Sequence, residues 1–499
     1  MFVAPDPGRA RLRVSLRAVL GIGLAVIATE TAGLSLPASI AGGLAALLAL
    51  FTVADPTVRG QAVTTALLPA VGFPVLALAT ALHGVPLLRD AIWLLVVFCG
   101  VYARRWGPRG HALGIFAFMT FFVTQFLHAV PGLLPELYGA MALSLVVASV
   151  VRFGVWCVER RMPAAAAPPP PDGRGLARPT TRQAFQTTAA CAFAMAAGQV
   201  LSHERWYWAV GTAWWIFVNT ASRGETLVRG FRRVVGTVTG IAAGLLVAIP
   251  LHGAPAPTVA LVGVCVFGIF YTAPLSYSWM MFFVTVMAGL LYGLIGVLDP
   301  GLLGLRLAET GAGALGAVLA VALVLPVTTH TVTDRWVRRA LHAVHGCTAA
   351  AARRLAGDAD ADPAPHAAEL EVLLGRVRLA VAPLVHPLNP LRARKQRARQ
   401  VLALLDDCAR EAGGLVAVTA DPDASHDTRL TAACLRVEAA VETLLGAVPR
   451  CAVPRRTVPP YAGEPGRHPG ADQALAHLRG LEHSLTALAA PLRSSWARA

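Results

Sequence analysis

Residues 227–253 read LVRGFRRVVGTVTGIAAGLLVAIPLHG, an apolar segment that three arginines open and glycines interrupt. Apolar segments of about 17–25 residues recur through the first two-thirds of the chain, and each is long enough to cross a bilayer core of about 30 Å. Residues 227–253, called the opening stretch below, are therefore one of a series of predicted membrane-spanning helices. Its three arginines lie at the predicted start of such a helix, where charged residues call for a functional or topological explanation.

The composition of the whole chain supports a membrane protein. The 499 residues are 56% hydrophobic and 14% charged, and the mean hydropathy is +0.59. Soluble proteins carry about 25% charged residues, so the sequence predicts an all-α polytopic membrane protein. The net charge of +15 is interpreted as the arginine bias of cytoplasmic loops. No nucleic-acid-binding motif accompanies that charge, so the predicted surroundings are the lipid bilayer and not nucleic acid.

Twelve membrane spans are predicted. They lie near residues 14–34, 36–54, 61–82, 85–103, 111–128, 134–155, 183–201, 206–222, 233–251, 256–274, 278–298 and 304–327. Arginines concentrate before the first span and then in every second loop, which is the bias of cytoplasmic segments. We therefore expect a multi-pass membrane protein with both termini in the cytoplasm.

An earlier stretch, VRGQAVTTALLPAVGFPVLALATALHG at 58–84, is a degenerate copy of the opening one. Both begin with VRG and end with HG, and six predicted spans belong to each half. An even number of spans gives the two halves the same orientation, so two parallel six-helix repeats are predicted. The repeats occupy residues 1–161 and 181–327, and a proline-rich cytoplasmic linker at 162–180 joins them.

From residue 328 the apolar residues become periodic and the charge rises. Stretches such as TDRWVRRALHAVHGCTAAAARRLAG place apolar residues three and four apart, the pattern of amphipathic helices. Residues 328–499 are therefore predicted to form a cytoplasmic α-helical domain. A cytoplasmic partner bound through this domain, or a homo-oligomer, is compatible with the sequence.

The arginines of the opening stretch form the predicted binding site for small organic anions. Arg229, Arg232 and Arg233 are three and four residues apart, which groups them on one helix face. Arg223 lies nearby, and Arg59 occupies the position of Arg229 in the earlier copy. A guanidinium donates two parallel hydrogen bonds to a carboxylate, so a cytoplasmic vestibule that collects anions is predicted. The competing interpretation is that these arginines contact lipid headgroups and set the topology.

Aromatic and small side chains accompany these arginines. Trp214 and Trp215 lie too deep for an interfacial belt, and they either stack on an aromatic ligand or pack in the core. Asn219 is a polar group near the inner end of the same span. Glycines at four-residue spacing allow two helix backbones to approach closely, and they predict a helix-packing seam at Gly236, Gly240 and Gly244.

Proton coupling normally uses a carboxylate or a histidine inside the membrane. Glu30 and Glu309 are the candidates, and no carboxylate lies at the clear midplane of a predicted span. Glu309 follows Arg306 by three residues, the spacing of an ion pair along one helix. The sequence contains no P-loop, HExxH or GxSxG motif and no metal-binding cluster. The sequence therefore predicts no enzyme and no ATP-driven pump. It also predicts no metal site and no cofactor.

The order of these residues resembles the repeated domain of the fusaric acid resistance family, which includes bacterial exporters of aromatic carboxylic acids. The tryptophan pair is followed by R-x-x-R-R-x-x-G-T-x-x-G-x-x-x-G, from Arg229 to Gly244. The resemblance covers residues 180–330 well and 10–160 weakly. It implies a protein of the bacterial plasma membrane that exports aromatic or other organic acids, driven by the proton motive force. The earlier copy keeps Arg59 but lacks the Arg-Arg pair, which favours a scaffolding role for the first half.

Two other functions remain open on the sequence. The missing midplane carboxylate favours a passive organic-anion channel. Alternatively, the protein is a non-transporting membrane scaffold whose cytoplasmic helices recruit partners. Flux that requires a pH gradient indicates the exporter, ohmic current indicates the channel, and the scaffold gives neither.

Overall fold

The computed structural model describes residues 9–159, 175–218, 220, 222–251, 254–295, 300–326, 329–355, 358, 360–385, 392–419, 428–445 and 469–496. Within these residues the chain forms 17 α-helices and no β-strand, which confirms the prediction of an all-α protein. It divides into two compact units, Met1–Pro326 and Val327–Ala499. The proline-rich linker lies largely outside the described residues.

The first unit contains twelve α-helices. They are α1 (Ala10–Thr31), α2 (Leu36–Thr52), α3 (Val58–Ala81), α4 (Pro86–Tyr102), α5 (Pro108–Phe126), α6 (Leu134–Glu159), α7 (Pro179–Leu201), α8 (Tyr207–Phe217), α9 (Arg223–Leu251), α10 (Pro255–Thr272), α11 (Tyr277–Ile295) and α12 (Pro300–Leu323). In the described part of the chain, nine of these are long and apolar enough to cross a membrane. Each predicted span overlaps one helix, and a multi-pass membrane protein is thereby confirmed.

Two of the predicted spans have different bounds in the structure. Helix α8 has only 11 residues and ends at Phe217, so it is about 16 Å long, roughly half of the hydrocarbon core. Helix α9 begins at Arg223 rather than near residue 233 and has 29 residues. The arginines of the opening stretch are therefore inside helix α9.

Proline begins many of the helices. Pro86, Pro108, Pro179, Pro255 and Pro300 are each the first helical residue of their element. Proline is favoured there because the first amides of a helix have no intrahelical acceptor and the proline ring presets the helical φ. Proline positions in the sequence thus mark the starts of these helices.

The helices pack in the same pattern within each set of six. In the first set α1, α2 and α6 pack together, α3 packs on α5 and α6, and α4 packs on α5. In the second set α7, α8 and α12 pack together, α9 packs on α11 and α12, and α10 packs on α11. Between the sets α4 packs on α7 and α10 packs on α1. Reciprocal contacts of this kind are what a two-fold relationship produces.

The second unit is also helical. Its elements are α13 (Thr329–Leu355), α14 (Ala364–Val385), α15 (Arg392–Thr419), α16 (Thr428–Leu445) and α17 (Pro469–Trp496). Leucine, valine, alanine and cysteine side chains form one continuous core between them. Polar groups lie at the edge of this core, where His477 Nδ1 is 2.9 Å from Glu411 Oε2 between α15 and α17. The apolar periodicity of the sequence thus corresponds to the buried faces of these helices.

Candidate functional site

Two arginines of the opening stretch contact the same tyrosine. The guanidinium carbon of Arg229 lies 4.0 Å from the centroid of the Tyr277 ring. Arg233, one helical turn further, donates from Nη1 to the Tyr277 hydroxyl over 3.2 Å. That hydroxyl donates to the carbonyl oxygen of Trp215 over 3.4 Å. Both arginines are therefore held where α8, α9 and α11 meet.

The third arginine of the stretch, Arg232, does not share this face. Consecutive residues of an α-helix are about 100° apart, and Arg232 is exposed while Arg233 is 5% exposed. The predicted basic face therefore divides into two inward residues and one outward residue. Arg223 and Arg59 are also exposed, each in the first turn of its helix. Asn219 lies outside the described residues.

A fourth cation, Arg104, reaches the same junction from the first half. It lies in a short 3-10 helix, Ala103–Trp106, directly after α4. Its Nη1 donates to the carbonyl oxygen of Phe217, the last residue of α8, over 3.3 Å, and its Nε donates to His111 Nδ1 over 3.0 Å. The charge of Arg104 also interacts with that of Arg229.

From the sequence alone, Arg104 was interpreted only as one of the arginines in a cytoplasmic loop. A helix end leaves carbonyl oxygens without partners and favours a nearby cation. If the end of α8 at Phe217 had been predicted, a cation near it would have been expected. The predicted span instead continued to residue 222, because the apolar run does not stop at Phe217. The end of the helix was therefore missed, and with it the reason for Arg104.

Several buried donors around this junction have no acceptor. Arg229 Nε, Arg233 Nε and Trp214 Nε1 are buried atoms without a hydrogen-bond partner. Trp214 and Arg104 also line a small cavity of about 10 Å³, the space of one water molecule. Because a buried donor without an acceptor costs about 1–3 kcal/mol, an acceptor that entered this junction would be stabilised there.

The faces of the two tryptophans are used for packing. Trp214 stacks on Phe118 with ring centroids 4.1 Å apart and an interplanar angle of 6°. Trp215 meets Trp214 edge to face at 5.2 Å. Core packing, one of the two alternatives open on the sequence, thus accounts for the face of Trp214. Its indole nitrogen is the part that packing leaves unsatisfied.

The glycine seam explains how Arg233 comes so close to α11. A Cβ atom at Gly240 would lie 2.7 Å from Thr285 Cβ and 2.9 Å from the Phe282 carbonyl oxygen. A Cβ atom at Gly236 would overlap the carbonyl oxygen of Ser278. At Gly244 the nearest atom would be at 3.8 Å, an ordinary contact. Helices α9 and α11 therefore touch at two of the three glycines.

A second arginine site lies near the start of α8. The guanidinium carbon of Arg306 is 3.2 Å from the centroid of the Trp208 ring, and Trp208 Nε1 donates to the Tyr292 hydroxyl over 2.6 Å. Arg205 lies over the ring of Tyr292 at 5.3 Å. Arg306 thus contacts an aromatic ring instead of forming the predicted ion pair with Glu309.

Glu309 is 1% exposed, and its Oε1 atom has no hydrogen-bond partner. The other predicted coupling residue, Glu30, is exposed near the end of α1. The structure therefore places the two carboxylates in different surroundings. Only Glu309 lies beside buried arginines.

The two arginine sites lie within electrostatic range of each other. Arg306 interacts with Arg233 as well as with Glu309, and Arg229 interacts with Arg104. Arg104, Arg229, Arg233 and Arg306, here called the arginine series, thus connect the end of α8 with its start. Arg233 and Arg306 are buried and Arg104 and Arg229 are half-buried, and burying like charges close together is unfavourable without compensating groups.

The comparisons with known proteins bear on this part of the chain. Residues 192–320 match the family described as fusaric acid resistance protein-like. The match begins within α7, ends within α12, and contains both arginine sites except Arg104. No curated protein and no solved structure matches the chain. The resemblance in the sequence is thereby confirmed for residues 192–320, which are similar to the fusaric acid resistance protein-like family, and the chain is a multi-pass membrane protein related to transport.

Proposed function

We propose that the protein moves organic anions, aromatic carboxylates in particular, across the bacterial plasma membrane along the arginine series. The observation that carries this proposal is the set of buried donors without acceptors at the end of α8, Arg229 Nε, Arg233 Nε and Trp214 Nε1. A carboxylate accepts charge-assisted hydrogen bonds from such donors. It also offsets the cost of burying guanidinium groups.

The tyrosine and tryptophan rings favour an aromatic body on this carboxylate. The Tyr277 ring lies against Arg229, its hydroxyl donates to the Trp215 carbonyl oxygen, and the Trp214 indole nitrogen is itself one of the unpartnered donors. Aromatic pairs contribute about 0.5–1.5 kcal/mol beyond the burial of their area. An aromatic acid thus gains binding free energy from both its carboxylate and its ring, whereas an inorganic anion gains it only from its charge.

The proposed direction is export. A basic site at the cytoplasmic end raises the local concentration of anions there. The membrane potential, negative inside, drives an anion outward with about 2.3 kcal/mol per charge and 100 mV. The electrical part of the proton motive force therefore supplies a driving force without a proton carried in every cycle.

The proposed architecture is two parallel six-helix repeats with the second compact unit in the cytoplasm. Its support is the packing pattern shared by the two sets of six helices and the reciprocal contacts between them. The halves differ in their cations. In the first half Arg109 on α5 donates to Thr64 on α3 over 3.3 Å, whereas in the second half Arg233 on α9 donates to Tyr277 on α11. The first half thus contributes Arg104 to the site and otherwise supports it.

The test compares two neighbouring arginines in proteoliposomes loaded with radiolabelled benzoate. Arg233→Lys keeps the charge but loses the planar fork, and we expect benzoate efflux to fall by about tenfold, as the loss of one charged hydrogen bond of roughly 1.5 kcal/mol predicts. Arg232→Lys is the matched control, since Arg232 is exposed, and it should leave efflux unchanged. Equal efflux from both variants and the parent would contradict the proposal.

The same vesicles separate the modes of transport. Benzoate current that reverses with the benzoate gradient indicates a channel-like path. Efflux that requires a pH gradient indicates a proton-coupled exporter, and neither benzoate flux nor current indicates a scaffold.

A further inference from the structure

The position of Glu309 is unusual for an anion path. Its side chain is buried, and one carboxylate oxygen has no hydrogen-bond partner. Burying an ionised carboxylate without a partner is strongly unfavourable. Glu309 therefore either holds a proton or pairs with a cation after a small side-chain movement.

The residues around Glu309 include cations with which its carboxylate can pair. Arg306 is one turn earlier on the same helix, a spacing at which two side chains can meet, and Arg205, ahead of α8, also acts on the Glu309 carboxylate electrostatically. Tyr207 on α8 lies within electrostatic range of Glu309, and Tyr292 on α11 lies within that of Arg306. These groups include both cations and phenols.

The other helices packed on α12 add one charge. From α9, Arg233 interacts with Arg306. Helix α7 meets α12 at Gly316 through Ala190 and Phe193, which are uncharged. The charge around Glu309 is therefore dominated by arginine.

Protonation of Glu309 changes what Arg306 can bind. With a proton on Glu309, no neighbouring carboxylate compensates the charge of Arg306, which is available to an incoming anion. Without the proton, the Glu309 carboxylate competes with that anion for the same guanidinium. A negative charge one helical turn away therefore weakens anion binding.

We propose that Arg306, Arg205, Trp208 and Tyr292 form a second binding site for organic carboxylates, from which ionised Glu309 excludes the anion. This proposal rests on the proposed transport function and adds a site at the outer end of the path. Anion binding there strengthens as the pH falls and weakens as Glu309 loses its proton.

The experiment measures benzoate binding to the purified full-length protein by calorimetry over a series of pH values. We expect the parent to bind about tenfold more weakly in mildly alkaline than in mildly acidic buffer, as a change of roughly 1.4 kcal/mol predicts. Glu309→Gln, which stays neutral and keeps the shape, should bind at the acidic-buffer strength throughout. Glu30→Gln is the matched control and should titrate like the parent, because Glu30 is exposed.

Arg306→Gln should remove the pH-dependent part of binding. The conclusion does not require that variant to fold, because Glu309→Gln tests the proton dependence alone, with its thermal unfolding checked against the parent. Unchanged pH dependence in Glu309→Gln would overturn the outer site while leaving the transport proposal standing. A parent that neither binds nor moves benzoate at any pH contradicts both.

Discussion

Arg233 donates a hydrogen bond from Nη1 to the hydroxyl oxygen of Tyr277 over 3.2 Å. Through that hydroxyl, which in turn donates to the Trp215 carbonyl oxygen, the arginine is connected to the last turn of α8. The contact uses one guanidinium nitrogen and leaves Arg233 Nε without a partner. The tyrosine thus orients an arginine that still has a donor available for a ligand.

Removing this hydroxyl should weaken substrate binding without unfolding the protein. In Tyr277→Phe the ring beneath Arg229 remains, but Arg233 loses its oxygen acceptor and keeps only Met281 Sδ. We expect the KM for benzoate efflux to rise by about three- to tenfold, since one hydrogen bond contributes roughly 0.5–1.5 kcal/mol. Tyr271→Phe, on α10, is the control and should leave KM unchanged. An equal effect of both changes would show that Tyr277 does not position the site.

Arg104 should matter although it belongs to the first half. In Arg104→Gln the carbonyl oxygen of Phe217 loses its charged donor, and the inner site loses one positive charge. We expect benzoate efflux to fall by about tenfold, as the loss of roughly 1.5 kcal/mol or more for a charged hydrogen bond predicts. Arg105→Gln, at the next residue, should retain most of the parent's efflux. Normal efflux in Arg104→Gln would restrict the path to the second half.

A bulky residue in the glycine seam should destabilise the membrane unit. In Gly240→Leu the new side chain meets Thr285 and the Phe282 carbonyl oxygen, so α9 and α11 must separate. Overpacking costs about 1–3 kcal/mol, and a lower thermal-unfolding midpoint in detergent should reveal it. Gly263→Leu is the control, because nothing lies within 4 Å of a Cβ atom at that position. Similar midpoints for both variants would show that the seam does not limit stability.

Buried thiols of the second unit should react slowly. Burial raises the pKa of Cys408 to about 12, and the charges of Asp407 and Glu411 add to the effect. The thiol therefore stays protonated at neutral and mildly alkaline pH, and the thiolate is the reactive form. Labelling with a water-soluble maleimide, located by mass spectrometry, should modify a cysteine introduced by Ala432→Cys at an exposed position long before Cys408. Fast labelling of Cys408 in the folded protein would contradict this core.

The arginine bias predicts where reporter proteins are found. Green fluorescent protein fused at residue 170 or at the C-terminus should be fluorescent, because both positions are expected in the cytoplasm. Fusions at residue 84, in a loop expected outside, should be dark but should support alkaline phosphatase activity when that enzyme is fused instead. Phosphatase activity at residue 170 would refute the predicted orientation.

The sequence by itself determined that the chain is a multi-pass helical protein and where nearly every helix lies. The length and apolarity of a span are local properties, so they can be counted along the chain, and proline marks many of the starts. The motif from Arg229 to Gly244 was equally local, and it was enough to indicate the family.

Only the tertiary structure decided which of these residues act together. The rotation of α9 is set by the contacts of Gly236 and Gly240 with α11, and this turns Arg233 inward and Arg232 outward. The carbonyl oxygen at the end of α8 accepts a hydrogen bond from Arg104, which comes from the other half of the chain. Glu309 lacks an ion pair because the Trp208 ring lies beneath Arg306. Each of these outcomes depends on residues far apart in the chain, which a pattern of local spacing does not contain.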